Sequence, residues 1–379
     1  MNLNLVLAQL LLSVMGTLGV AVSAPDLIPK HIVQTVLAIA VTFFVARIRP
    51  TWLLKVAPFA WGATLFLLLL TLIIGVGGND SAVRRWLDFG AIRFQPSEFA
   101  KLTLVLMLGN IVARKGIDTK LFGSSAIIGI TSLLIVLEPD LGTTVLVFGS
   151  GIFMMYMAGV RISNITKLLT LVGLLTIPAA GIYLETHPYI KARYEAFIQG
   201  IFVQDSEAIK AHQSDEGYQI EMARRAMGRG GAWGLGIDEP LPSVPADHTD
   251  MIIASIGFSV GFIGFLTVVL GFWLIVHSSI VAVELLLRRA PLTPELHGAC
   301  VVAAGAMFMI VAQALTNLLV AVGIVPVTGV PLPMVSYGGS SQLAVGIAFG
   351  LLHSALRLVW YDRPQNPSLE SRAVVEASL

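Results

Sequence analysis

The sequence predicts an all-α, polytopic membrane protein with about ten transmembrane helices and one large extracytoplasmic loop. Composition is the first reason: of 379 residues, 56% are hydrophobic and 12% charged, with a mean hydropathy of +0.83. A soluble domain carries about 25% charged residues. The second reason is that apolar residues gather into runs long enough to cross hydrocarbon, which takes roughly 20 residues of helix. The third is that Lys and Arg crowd alternate loops between those runs.

In order, the runs lie at about 3–23, 31–48, 56–76, 97–113, 122–138, 141–159, 165–184, 261–287, 298–324 and 340–360. Residues 3–23 have no basic n-region and no small-residue cleavage site ahead of a soluble domain, so they read as a retained helix. An even number of spans puts both termini on one side. Arg47, Arg49, Lys55, Arg114, Lys115, Lys120, Arg161, Lys167, Arg288, Arg289, Arg357, Arg363 and Arg372 fall on that side. The opposite short loops carry only Lys30 and the cluster Arg84, Arg85, Arg93 and Lys101. The positive-inside rule therefore makes the termini cytoplasmic and the cluster external.

Residues 1–361 read as one membrane domain, elaborated by an external loop at about 185–250. Residues 362–379 are polar, carry two prolines and read as a disordered cytoplasmic tail. Loops above about 15 residues usually have a function or are disordered. Within this one, 216–229 has the pattern of an amphipathic helix suited to lie flat at the membrane interface. The turn-forming stretches GRGGAWGLG (228–236) and PLPSVP (240–245) follow. No internal repeat is visible.

Several functions are excluded. A formal charge of +1 without a long basic tract leaves no nucleic-acid surface. The single Cys300 cannot form an intramolecular disulfide. No G-x-x-x-x-G-K-[ST] loop supports ATP-driven transport, no H-E-x-x-H or cysteine cluster suggests zinc, and no G-x-S-x-G elbow precedes a helix. What remains is a set of polar and ionisable groups at the outer ends of spans, where charge is costly and points to function.

Four constellations stand out. In RRWLDFGAIRFQPSEFAKL (84–102), Arg84, Arg85 and Arg93 have the fork geometry that matches phosphate oxygens. In the bland reading of the same stretch, Ser97 is an N-cap and Glu98–Lys101 an i,i+3 pair. In Glu138-Pro139-Asp140, Asp140 is an N-cap or part of a cation or sugar site. In Pro245-Ala246-Asp247-His248-Thr249-Asp250, Asp250 sits where water gives way to an apolar segment at 251–260. Partial desolvation there suits a general base, and N-capping is the rival role. His248 reads as a positioning hydrogen-bonder. Finally, TGVPLPMVSYGGSSQ (328–342) is nearly apolar yet cannot be helical, so it reads as lining a cavity, with an inert connector as the rival, and Tyr337 with Gly338-Gly339-Ser340-Ser341 at a helix start suits an anion.

These motifs together resemble the RodA/FtsW/SpoVE family, in family order over some 260 residues. The matches are R-R-W…G…Q-P-S-E-x-A-K at 84–101, E-P-D-L-G-T at 138–143, G-Y-Q…A…G-x-G-G…G-x-G at 217–236, H-T-D at 248–250 and P-V-T-G-V-P-L-P-M-V-S-Y-G-G-S-S at 326–341. The resemblance implies a multi-pass protein of the bacterial cytoplasmic membrane with its site facing the periplasm. It implies a peptidoglycan glycosyltransferase that polymerises lipid II, the undecaprenyl-linked disaccharide-pentapeptide, into β-1,4 glycan strands for division or elongation. It also implies a class B penicillin-binding protein as partner, beside membrane lipids.

Asp250 maps onto the family's essential aspartate, the expected base. Substrate contacts are expected at Arg84, Arg85, Trp86, Glu98, Lys101, Asp140, Gln219, His248, Thr249, Ser336, Tyr337 and Ser340. Asp250 would take the proton of a sugar 4-hydroxyl, which displaces undecaprenyl pyrophosphate with inversion, while Arg85 and Lys101 stabilise the leaving group. A divalent cation, Mg or Mn, could assist, but no ligand set is readable.

The chain departs from the family pattern beside that base. Ala246 stands where the family usually has Glu, and Gly257-Phe258-Ser259 replaces a usual Glu-Glu pair. Ser255-Ile256-Gly257 leans to the division branch. The rivals are a lipid II flippase, which needs a polar path through the membrane, and a non-catalytic scaffold for the transpeptidase, favoured by the lost acids.

Overall fold

The fold, seen in a computed structural model, is described over residues 1–77, 84–90, 93–114, 121–186, 191, 216–287 and 293–361. Seven helices come first: α1 (Leu3–Ser23), α2 (Ile28–Arg47), α3 (Pro50–Ile74), α4 (Pro96–Arg114), α5 (Leu121–Leu137), α6 (Leu141–Met157) and α7 (Ile162–Thr186). Five follow: α8 (Glu216–Gly230), α9 (Ile252–Ser259), α10 (Gly261–Leu287), α11 (Pro294–Ala321) and α12 (Gly339–Tyr361). Between α3 and α4, β1 (Leu87–Asp88) pairs antiparallel with β2 (Arg93–Phe94).

Among the described residues, eight helices, α1 to α4, α7 and α10 to α12, are long and apolar enough to cross a membrane. Helices α5 and α6 are apolar but only 17 residues each, the short end of the spanning range. The molecule is a polytopic, all-α membrane protein. Its lipid-facing surface explains exposed side chains such as Phe59, Phe66, Leu174 and Ile177, which in water would be a liability but in hydrocarbon are solvated.

Helices α4, α11 and α12 are the most buried spans and α7 the least. Helix α4 packs on α3, α6 and α11, and α2 packs along α12. In lipid, helices gain little from apolar burial alone, so association depends on close backbone approach through small residues. A Cβ on Gly298 of α11 would lie 2.7 Å from the carbonyl oxygen of Gly109 on α4. Alanine there would push α4 and α11 apart.

Several boundaries differ from the sequence expectation for identifiable reasons. Helix α3 starts at Pro50, because proline at the first helical position gives up no bond. Helix α11 starts at Pro294, capped by Thr293 Oγ1, which accepts from Leu296 N at 3.2 Å. It stops at Ala321, two residues before Gly323 turns left-handed at φ +72°. The amphipathic helix α8 is present but does not lie free at an interface. Ala223 and Ala226 are buried, and the helix docks on α9 with Gly230 against the Gly257 backbone. The 251–260 segment is the short helix α9, buried throughout. The expected tail at 362–379, residues 192–215 of the long loop, and Lys115, Lys120, Arg288, Arg289, Arg363 and Arg372 lie outside the described residues.

Candidate active site

Four segments meet at the end of the bundle where α4 and α12 begin and α11 ends: residues 84–90 with 93–98, 138–142, 245–251 and 328–340. Local chemistry positions each. Pro139 cannot continue α5, and Asp140 opens α6 by accepting from Thr143 N at 3.0 Å through Oδ1. Its Oδ2 accepts from Gln95 Nε2 at 3.4 Å, so this capping residue also ties the α5–α6 turn to the start of α4. Ser97 is not a cap. Helix α4 already starts at Pro96, and the Ser97 hydroxyl accepts from Gln95 Nε2 at 3.1 Å.

The H-T-D segment is knitted to the loop before α12. Ser336 Oγ donates to Thr249 O at 2.6 Å and accepts from Leu332 N at 2.8 Å. Tyr337 N donates to His248 O at 2.9 Å, and the two rings meet edge-on at 6.0 Å. The His31 ring also stacks near Tyr337, with ring centres 6.4 Å apart. His248 Nδ1 is 3.0 Å from Asp247 Oδ1, a positioning contact. Gln219 of α8 donates to Pro245 O at 3.1 Å.

Asp250 is partly exposed. The residue at the start of α9 is Met251, whose own side chain makes no cap bond. Asp250 Oδ2 faces Gly329, where a Cβ would come within 3.8 Å and where φ is +71°. A side chain at 329 would be strained in that backbone.

The three arginines do not converge. Arg84 donates to Leu72 O and Ile73 O, at 3.2 and 2.9 Å, closing the end of α3. Arg93 pairs with Asp88 at 3.2 Å on an exposed hairpin. Arg85 reaches the α5–α6 turn, donating to the carbonyls of Glu138 and Pro139. Trp86 bridges to Val76 through its backbone. Ser340 Oγ donates to Arg93 O at 3.0 Å and accepts from Gln95 N at 3.3 Å, joining α12 to the hairpin.

The Glu98–Lys101 pair is buried and not on a solvated face. The ammonium donates to Glu98 Oε1 at 2.8 Å and to Gln313 Oε1 at 2.7 Å, with Lys101 only 2% exposed. Glu138 is fully buried, and among the described residues neither carboxyl oxygen has a partner. Burial, then the nearby Asp140, push its pKa up to about 9 against the opposing pull of Arg85, so it is neutral at pH 7. No group of three or more His, Cys, Asp or Glu suited to a metal ion occurs among the described residues.

A family model described as Cell cycle protein, FTSW_RODA_SPOVE, matches residues 5–359. The chain belongs to the FtsW, RodA and SpoVE family. It is 33% identical over 295 residues to the protein named "Probable peptidoglycan glycosyltransferase FtsW" in Legionella pneumophila, covering 76% of this chain and 70% of that one. It is 31% identical over 304 residues to the peptidoglycan glycosyltransferase MrdB of Escherichia coli, covering 78% and 77%. A chain solved within a peptidoglycan synthase complex superposes with a TM-score of 0.75 at 23% identity, over 95% of this chain and 99% of that one. That likeness shows the shared fold.

Sequence reasoning missed Gln313, Asn317 and Gln342, which hold the loops of this FtsW/RodA/SpoVE fold together. Asn317 Nδ2 donates to Asp250 O at 2.8 Å and Val330 O at 2.9 Å. Gln313 Nε2 donates to Pro331 O at 2.9 Å. Gln342 Nε2 donates to Ser336 O at 3.1 Å. The available signal was two amides four residues apart in an apolar span, Gln313 and Asn317, on one helix face.

Proposed function

We propose that this chain polymerises lipid II into β-1,4 glycan strands at the outer face of the bacterial cytoplasmic membrane, releasing undecaprenyl pyrophosphate. The observation that carries the reading is Asp250: a half-buried carboxylate that faces Gly329, with its backbone carbonyl held by Asn317. It takes the proton of the acceptor sugar's 4-hydroxyl as that oxygen attacks the anomeric carbon of the donor. Displacement from the opposite face inverts an α-pyrophosphate to a β linkage. Arg85 is the arginine best placed for the leaving pyrophosphate. Two carbonyls take part of its five-donor fork, which leaves donors for the charge that develops.

Charge supports the orientation. Arg47, Arg49, Arg161 and Lys167 sit at the end of the bundle opposite Asp250, the pattern of a cytoplasmic face. The membrane domain spans 1–361, and crosslinking falls to a class B penicillin-binding protein. Transport is the lesser reading, because the buried Glu98, Lys101, Glu138 and Asp140 all gather at one end of the helices instead of lining a path across them.

Purified protein in liposomes with fluorescent lipid II separates the readings. Polymer ladders on a gel support the glycosyltransferase. Transbilayer movement of lipid II without any polymer defeats it in favour of transport.

A further inference from the structure

Gln313 and Asn317 lie one turn apart on the same face of α11. Gln313 is 1% exposed, and its amide has one neighbour at each end: Lys101 Nζ on the oxygen, Pro331 O on the nitrogen. That orientation is forced. An ammonium only donates and a backbone carbonyl only accepts, so a flipped amide would set donor against donor and acceptor against acceptor. Asn317 is constrained likewise, because both acceptors of its nitrogen are backbone carbonyls.

The buried Glu98–Lys101 pair gains significance from this. A buried ion pair is a weak stabiliser, since the loss of hydration offsets the attraction. What it does provide is a fixed, unambiguous donor against Gln313. Glu98 holds Lys101, Lys101 orients Gln313, and Gln313 fixes the carbonyl of Pro331. One turn along α11, Asn317 ties the neighbouring Val330 carbonyl to that of Asp250.

We infer that Gln313 is a positioning residue of the site, and that Lys101 acts through it to hold the 330–331 backbone opposite Asp250, not by contact with the pyrophosphate. The kinetic consequence rests on the glycosyltransferase reading; the structural one does not.

The test uses the full chain purified in detergent. Gln313→Glu keeps the size and still accepts from Lys101, but cannot donate to Pro331. Gln313→Met removes both contacts. Glu98→Gln with Lys101→Met removes the ion pair without leaving a lone buried charge. Each should lower kcat on lipid II about tenfold with KM within about twofold. Joining Gln313→Met to the pair replacement should cost no more than about twofold beyond either alone, because both break one chain of contacts. Without lipid II present, amide hydrogen exchange across 328–337 should quicken in all three.

Losses that multiply to about a hundredfold, or that fall on KM alone, would overturn the inference by giving Lys101 an independent role. Wild-type exchange at 328–337 in Gln313→Glu would overturn it too. If Gln313→Met does not fold, Gln313→Glu decides. A wild-type chain that makes no polymer defeats the glycosyltransferase reading, and the exchange measurement then decides the positioning role alone.

Discussion

Asn317 donates its side-chain amide to the backbone carbonyl of Asp250 at 2.8 Å, so the proposed base is anchored by a residue 67 positions further along the chain. The second amide hydrogen goes to Val330 O, which makes one side chain the hinge pin of both loops. Asn317→Ala leaves two carbonyls without this donor, at about 1–3 kcal/mol for each one left unsatisfied in a buried place. Asn317→Asp sets an acceptor against two acceptors and should be less stable than the alanine variant. Thermal unfolding in detergent, with polymerisation on the same samples, checks the order. Wild-type stability in Asn317→Asp would remove the hinge.

Glu138 predicts a pH dependence. It lies in the turn between α5 and α6, with its pKa pushed up to about 9 first by burial and then by Asp140. An unfolded glutamate titrates near 4.3, so between about pH 4.3 and 9 the folded protein holds a proton that the unfolded chain has released. Stability from this group is complete below that window and is lost as pH rises through it. Glu138→Gln mimics the neutral acid and should flatten the decline. The midpoint of thermal unfolding from pH 6 to pH 9.5, wild type against variant, is the measurement. Parallel curves would mean that Glu138 is ionised in the folded state.

The membrane orientation is open to chemical labelling. Ser243 is exposed on the 240–245 stretch and Ser163 at the start of α7. In a Cys300→Ala background, a cysteine at Ser243 should react with a membrane-impermeant maleimide on intact cells. One at Ser163 should react only after permeabilisation. The reverse pattern would turn the topology over and move the site to the cytoplasm.

Spans and the Asp140 cap were legible in the sequence because their causes are local, whereas Ser97 lies inside α4 and caps nothing. The apolar runs mark the helices, and Asp140 reads as a cap because its partner is Thr143. Spacing also paired Glu98 with Lys101, but an i,i+3 spacing does not tell a solvated face from a buried one. That depended on α11 covering the pair. Gln313 and Asn317 were invisible as site residues for a related reason. Their carbonyl partners lie in loops, and Asn317 meets Asp250 only once α11 is folded against both. The same distance effect explains Arg84 and Arg93, whose forks fitted phosphate in isolation and instead close α3 and pair with Asp88.

The central claim is that Asp250 is the base, and Asp250→Asn tests it most directly. The amide has the carboxylate's shape but cannot take a proton, and it leaves the backbone clamp from Asn317 in place. Glycan formation from lipid II by the purified variant, with unfolding temperature recorded alongside, is the measurement. Loss of polymerisation by about a hundredfold or more at unchanged stability is the predicted result, the size expected for removal of a general base. Glycan of near-wild-type length and rate from a folded Asp250→Asn protein would contradict the account.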